Sequence, residues 1–168
     1  MKKITVLAAA LAMVFAGSFA FAEKYVSAND LTKQVLTSDI STEDGFVIHA
    51  TDAKNVEIQE NDSNASPASV GDETFSMRIK LGGAGNLVER SVSIKGKKGQ
   101  KLTVYARSTG DQDRTVNILD GEGNVVGTGP APNKTAALGK TEVKLPADGE
   151  FYACSAKSGI YIFEMILE

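Results

Sequence analysis

The chain has 168 residues, with 18 Lys and Arg against 21 Asp and Glu, one cysteine and no tryptophan. A single cysteine excludes a disulfide framework, and the acidic balance argues against a nucleic-acid partner. The lack of tryptophan excludes a flat indole platform of the kind that stacks on sugar rings.

Lys2 and Lys3 form a short basic region, residues 4–15 an apolar one, and Ala20-Phe21-Ala22 a small-residue cleavage site. This reads as a signal peptide over residues 1–22. The apolar run falls short of the roughly 20 residues a membrane-spanning helix needs. Glu23, not a cysteine, follows the cleavage site, which argues against a lipid anchor. The expectation is a mature chain of residues 23–168 with no membrane span, exported to the periplasm, the cell surface or the medium. Its length suits one domain with one core.

Residues 27–36 have a helical look and read as a short turn of helix or an irregular lead-in. Residues 46–50 and 56–58 read as short strands, and residues 60–72 as a long polar loop. Three runs then alternate apolar with polar or cationic side chains: residues 74–81, 90–95 and 101–107. Such alternation places one face in a core and the other in water. Gly82-Gly83-Ala84-Gly85-Asn86 links the first two runs, and Gly96-Lys97-Lys98-Gly99 reads as a hairpin-type connection between the second and third. Further strands are expected over residues 114–119, 125–128, 141–145, 150–155 and 160–167, with a strong turn signal in Asp120-Gly121-Glu122-Gly123-Asn124. About nine to ten short strands with frequent turns argue for an all-β fold, an antiparallel β-sandwich of jelly-roll-like type. Expected core positions are Phe46, Ile48, Phe75, Met77, Ile79, Leu81, Val92, Ile94, Leu102, Val104, Val116, Ile118, Phe151, Ile160 and Ile162.

Charge is distributed unevenly. Between residues 78 and 107, Arg78, Lys80, Arg90, Lys95, Lys97, Lys98, Lys101 and Arg107 stand against Glu89 alone. A cationic stretch in an acidic chain points to an anionic partner. By alternation, Arg78, Lys80, Tyr105 and Arg107 belong to outward faces of two strands taken as adjacent, with Arg90 and Arg114 in a second rank. Guanidinium groups match carboxylates bidentately, so a uronic-acid polymer suits this set better than a neutral glucan.

Enzymatic chemistry finds little support. His49 is the single histidine, its neighbours give no triad spacing, and a structural role is expected. Cys154 reads as a small buried hydrophobe. No nucleophile elbow, zinc-protease motif or phosphate-binding loop occurs, and no catalytic residue is assigned. Glu60-Asn61-Asp62-Ser63-Asn64 and Asp111-Gln112-Asp113 offer closely spaced oxygens, making Asp62, Asp111 and Asp113 candidate ligands of a structural calcium. Neither segment alone supplies the six to eight oxygens that calcium takes.

Several segments, in order, carry a resemblance: Asp30-Leu31-Thr32, Leu36-Thr37-Ser38-Asp39, Gly45-Phe46-Val47-Ile48-His49-Ala50-Thr51, Arg78-Ile79-Lys80-Leu81-Gly82-Gly83-Ala84-Gly85, Arg90-Ser91-Val92-Ser93, Leu102-Thr103-Val104-Tyr105-Ala106-Arg107-Ser108 and Ser158-Gly159-Ile160-Tyr161-Ile162. Together they resemble the accessory β-sandwich domain that accompanies catalytic β-helix domains in bacterial pectate-lyase-type secreted proteins. The resemblance implies a non-catalytic, carbohydrate-binding-module-like domain with a plant-type or other acidic polysaccharide as ligand. The rival reading is an extracytoplasmic structural or interaction protein that self-assembles into an oligomer or binds a protein partner. Its feature is the final run, residues 160–167, which is apolar on both faces and reads as either a doubly buried strand or an exposed recruiting edge.

Overall fold

The computed structural model describes residues 22–62 and 66–168. All but the last residue of the expected signal peptide, and Ser63 and Asn64 of the acidic loop, lie outside the described residues. In chain order the strands are β1 (Lys24–Ser27), β2 (Gln34–Leu36), β3 (Ile40–Ser41), β4 (Val47–His49), β5 (Val56–Glu60), β6 (Ser69–Val70), β7 (Glu73–Thr74) and β8 (Met77–Gly83). They continue with β9 (Ser91–Gly96), β10 (Lys101–Ser108), β11 (Arg114–Leu119), β12 (Val125–Ala131), β13 (Gly139–Lys144), β14 (Gly149–Ser155) and β15 (Ser158–Leu167). The helical look of residues 27–36 resolves into one 3-10 turn, Ala28–Asp30, capped by the Ser27 hydroxyl, which accepts from Asn29 N at 3.3 Å.

Two sheets face each other across one core. The first runs β13-β10-β15-β8-β5-β2, with β1 alongside the C-terminal half of β15. The second runs β12-β11-β14-β9-β4-β3. The described strands pair antiparallel, as an antiparallel β-sandwich requires. Ile79, Leu81, Leu102, Val104, Ile160 and Ile162 of the first sheet meet Ile48, Val92, Ile94, Val116, Ile118 and Phe151 of the second, all buried. Each such side chain stabilises the fold by about 1.5–3 kcal/mol relative to exposure. Of the expected core positions, Met77 is only partly buried at the margin, and Phe75 belongs to a separate cluster.

Strand order departs from the hairpin expectation. β8 and β10 lie in the first sheet and β9 in the second, so the chain changes sheets twice. Residues 96–100 form an arch rather than a hairpin: the buried Gln100 accepts Lys97 N at 2.7 Å through its side-chain oxygen, and Gly99 N donates to Leu145 O at 2.9 Å. β8 and β10 are not neighbours either, because β15 lies between them.

β15 is therefore an interior strand, not an exposed edge. Tyr105 pairs with Glu164 but Ala106 with Ile162, which makes Phe163 the extra residue of a β-bulge. The bulge leaves Tyr161 and Phe163 on the outer face and returns Met165 and Leu167 to the core. Ala68, Phe75, Val70 and Leu138 cover that outer face. The segment expected as a plain polar loop thus contributes the β6–β7 hairpin and a second small core.

The same bulge buries Glu164 to 9% exposure. Burial first, then the charges of Glu73, Glu23 and Asp30, raise its carboxyl above the ordinary value. A raised folded-state pKa gives stability that is complete below the ordinary carboxyl range and is lost as pH rises through the folded value. Glu164→Gln is expected to raise Tm at neutral pH, with the gain vanishing on acidification. Thermal melts across a pH series check this, and a pH-independent difference refutes it.

Candidate functional site

Register places Arg107, Tyr161, Lys80 and Glu57 in one row across the outer face of the first sheet. Arg78 lies one row along, opposite Gln59, and Tyr105 opposite Glu164. Arg78, Lys80, Tyr105 and Arg107 thus share one face, as alternation requires, but they do not form an open cationic patch. Lys80 pairs with Glu57 at 2.8 Å. Arg78 lies over the Tyr161 ring, its Cζ 4.1 Å from the centroid, and donates to Asn61 Oδ1 at 3.3 Å. Beside Tyr105, Lys140 and Lys101 both pair with Glu142, at 2.9 and 3.5 Å, and Lys101 also with Glu168.

Arg107 departs furthest from the outward position expected of it: it is 1% exposed. Its guanidinium donates to Ser66 O at 2.9 Å, Pro67 O at 3.3 Å and Lys134 O at 3.4 Å, and lies over Phe163. Burial, and secondarily the charge of Arg78, lower its pKa. Carbonyl oxygens, not a carboxylate, hold this cation, so it fastens the covering segment onto the sheet. Arg114 has a comparable tie, donating to Thr109 Oγ1 at 2.5 Å and to Gly159 O. Arg90 has no side-chain partner among the described residues, and its Nε is buried.

Two of the three proposed calcium ligands are engaged with neighbours, and the third, Asp62, lines a separate cavity with Glu60 and Asn61. Asp111 pairs with Lys134 at 3.1 Å, and Asp113 Oδ1 accepts Asn133 N at 2.8 Å. Among the described residues no group of three His, Cys, Asp or Glu side chains gathers as a metal site.

The second sheet carries a constellation that sequence spacing did not reveal. His49 Nδ1 lies 2.8 Å from Asp39 Oδ2, and His49 Nε2 lies 2.9 Å from Ser93 Oγ. Ser93 Oγ donates to Glu150 Oε1 at 2.8 Å, and Ala50 N donates to Asp39 Oδ1 at 3.0 Å. Tyr152 continues the chain: its ring packs on His49 at 5.5 Å between centroids, and its hydroxyl pKa is raised by burial and then by Glu150. The order Asp–His–Ser has the distances of a hydrolase triad. Its wiring is different. Ser93 is fully buried, and its hydroxyl donates to Glu150 rather than standing free as a nucleophile. The array clamps β4, β9 and β14 together and supports the Tyr152 ring from beneath. Cys154, on the same face, is buried, and burial pushes its thiol up to about 11, which makes it a poor nucleophile.

Beside this array the sheet is open. Glu150 pairs in register with Lys95, which shares the outer face with Tyr152 two residues along. A cavity of about 350 Å³ is lined by Lys95, Gly96, Lys97, Asp148, Gly149 and Glu150. Lys95, Lys97 and Lys98 are exposed and make no ion pair among the described residues. A partly exposed tyrosine, a carboxylate held by a serine and unpaired ammonium groups thus share one surface. A larger cavity of about 510 Å³ is acidic, lined by Asp30, Glu43 and Asp44 beside Tyr25.

No protein-family model matches the chain. No curated protein matches it either. Solved structures that it is similar to include a carbohydrate-binding module, CBM36, in complex with calcium and xylotriose, at 13% identity over 66% of this chain and 93% of that one, with a TM-score of 0.41. Another is the CBM36-1 domain of a multidomain xylanase from the hindgut metagenome of Trinervitermes trinervoides, at 12% identity over 88% and 97%, TM-score 0.43. A third is CsCBM6-3 from Clostridium stercorarium in complex with cellobiose, at 8% identity over 86% and 92%, TM-score 0.38. At this level of likeness a shared ligand does not follow.

Proposed function

We propose that this chain is an exported, non-catalytic β-sandwich module that binds acidic polysaccharide on the outer face of its second sheet. The observation that carries the reading is the open surface of Tyr152, Glu150 and Lys95, continued by Lys97 along the cavity. A tyrosine ring offers its face to the C–H side of a pyranose, while a fixed carboxylate accepts from sugar hydroxyls. The lysines supply attraction for a uronate chain, since none of them is taken up in an ion pair among the described residues, although Asp148 and Glu150 line the same cavity. The ordered likeness to accessory domains of pectate-lyase-type secreted proteins supports the same ligand class. The burial of Ser93 and its donation to Glu150 support binding rather than hydrolysis.

Affinity electrophoresis through polygalacturonate is the test. Retardation should weaken with added salt as the charges are screened. The double variant Lys95→Glu, Lys97→Glu should lose about tenfold or more in affinity, since repulsion replaces attraction at two positions. Equal retardation by a neutral galactan, or indifference to the double reversal, refutes the reading. N-terminal sequencing of the exported protein should begin at Glu23.

A further inference from the structure

The chain contains four arginines. Arg78, Arg107 and Arg114 each have acceptors. Arg90 alone has none among the described residues, and its Nε–H is buried without a partner. The adjacent carboxylate does not serve it: Glu89 faces Thr51 Oγ1 and Asn86 Nδ2, each at 3.5 Å. A buried donor without an acceptor is costly and calls for an explanation.

A second, independent irregularity falls on the same residue. Arg90 has φ of 53°, the one positive φ at a non-glycine residue among those described. The left-handed region is strained for a long side chain. Here it is imposed by the connection between sheets, where Arg90 N donates to His49 O at 2.8 Å and Gly85 packs against Arg90 O. The strained turn lays the guanidinium across Gly82 and Gly83 at the end of β8. The fork fits because both lack side chains: a Cβ on Gly83 would lie 2.5 Å from Arg90 Nη1. Strain held at one residue together with an unanswered donor is the pattern of a preformed recognition group.

We propose that Arg90 is a receptor for a single carboxylate, the uronate group of an acidic sugar, at the loop end of the sandwich and apart from the Tyr152 face. The planar fork matches two carboxylate oxygens, and no internal ion pair has to break for it to bind. The carboxylate preference follows from the guanidinium itself. That the carboxylate belongs to a uronate rests on the reading of the chain as an acidic-glycan module, and acetate tests the first without the second.

The experiment is a titration of the ¹⁵N-labelled protein with galacturonate, acetate or galactose, following the arginine Nε–H resonances. The Arg90 signal, assigned by its disappearance in Arg90→Lys, should move with galacturonate and acetate and stay still with galactose. Arg90→Lys, which keeps charge but loses the fork, and Gly83→Ala, which displaces the fork but keeps charge, should each weaken galacturonate by about tenfold. Arg90→Gly should abolish the response and raise Tm, because glycine accepts the left-handed backbone. A resonance unmoved by both anions overturns the proposal, as does an Arg90→Gly protein that melts lower and still binds galacturonate. A response to acetate but not galacturonate overturns the uronate assignment. Retardation by polygalacturonate that ignores Lys95→Glu, Lys97→Glu, with the Arg90 response intact, removes the sheet-face site and leaves this one.

Discussion

Arg107→Glu is expected to lower the unfolding free energy by about 3–5 kcal/mol, the range for breaking a buried charge interaction. The variant sets a carboxylate among the carbonyls of Ser66, Pro67 and Lys134, which accept from the native guanidinium at 2.9–3.4 Å. Those acceptors lose their donors, and the new charge has no cation within the cluster except Arg78, which is already held by Tyr161 and Asn61. The covering layer of Ala68, Val70 and Phe75 should lift from Tyr161 and Phe163. Lys80→Glu is the control. It lies in the same row, but its ion pair with Glu57 is about one-third exposed, at 32% and 34%. Its cost should stay near or below about 1 kcal/mol. Urea denaturation of both variants decides the matter. Equal costs would mean that Arg107 behaves as a surface cation after all. The comparison also guards binding experiments, because loss of glycan affinity in Arg107→Glu would report a displaced cover rather than a lost contact.

That contrast shows what alternation reveals and what it conceals. It correctly put Arg78, Lys80, Tyr105 and Arg107 on one side of their strands, and Ile79, Leu81, Leu102 and Val104 on the other. Period-2 patterning reports which face of a strand is apolar, but not which sheet the strand joins. β8, β9 and β10 therefore read as consecutive hairpin strands although β9 lies across the core from its neighbours. Nor does alternation report what lies over an outer face. The cover of Arg107 comes mostly from a segment some 40 residues earlier, Ser66 and Pro67, whose composition is polar and loop-like, with Lys134 and Leu138 adding to it from later in the chain. The clearest local sign of that cover was the doubly apolar run from Ile160, since Tyr161 and Phe163 need a second layer once Ile160 and Ile162 face the core.

The histidine array was illegible for a related reason. Asp39, Ser93 and Glu150 come from three separate parts of the chain, and strand pairing alone brings them to His49. Only the polar positions Ser91 and Ser93, placed between apolar core residues, hinted that this outer face would be hydrogen-bonded rather than merely wet. The two faces consequently divide their labour. The first sheet fastens its cover with Arg107 and pairs its lysines with glutamates, whereas the second carries Lys95 on the face of Tyr152, and among the described residues Lys95, like Lys97 and Lys98 in the adjoining arch, makes no ion pair.

The side of the sandwich where β12 and β13 meet supplies the second large effect. β12 is an edge of the second sheet and β13 an edge of the first, and their close approach closes the barrel-like flank. It depends on glycine. A Cβ on Gly129 would lie 2.0 Å from Thr141 Oγ1 and 2.7 Å from Thr141 Cβ, so Gly129→Ala must push the strands apart. The expected loss is about 1–3 kcal/mol, the range for overpacking a core. Thr141 is 2% exposed, and its hydroxyl has no partner among the described residues. Thr141→Ala therefore removes an unsatisfied group together with Oγ1 and Cγ2, two of the three colliding atoms, and should be close to neutral by itself. In the double variant the alanine at 129 still meets the Cβ at 141 but no longer Oγ1 or Cγ2, and part of the lost stability should return, with a coupling of about 1 kcal/mol. Chemical denaturation of the four proteins in the cycle measures that coupling. Strict additivity would show that the flank yields elsewhere and that the approach of Gly129 to Thr141 does not set the spacing between the sheets.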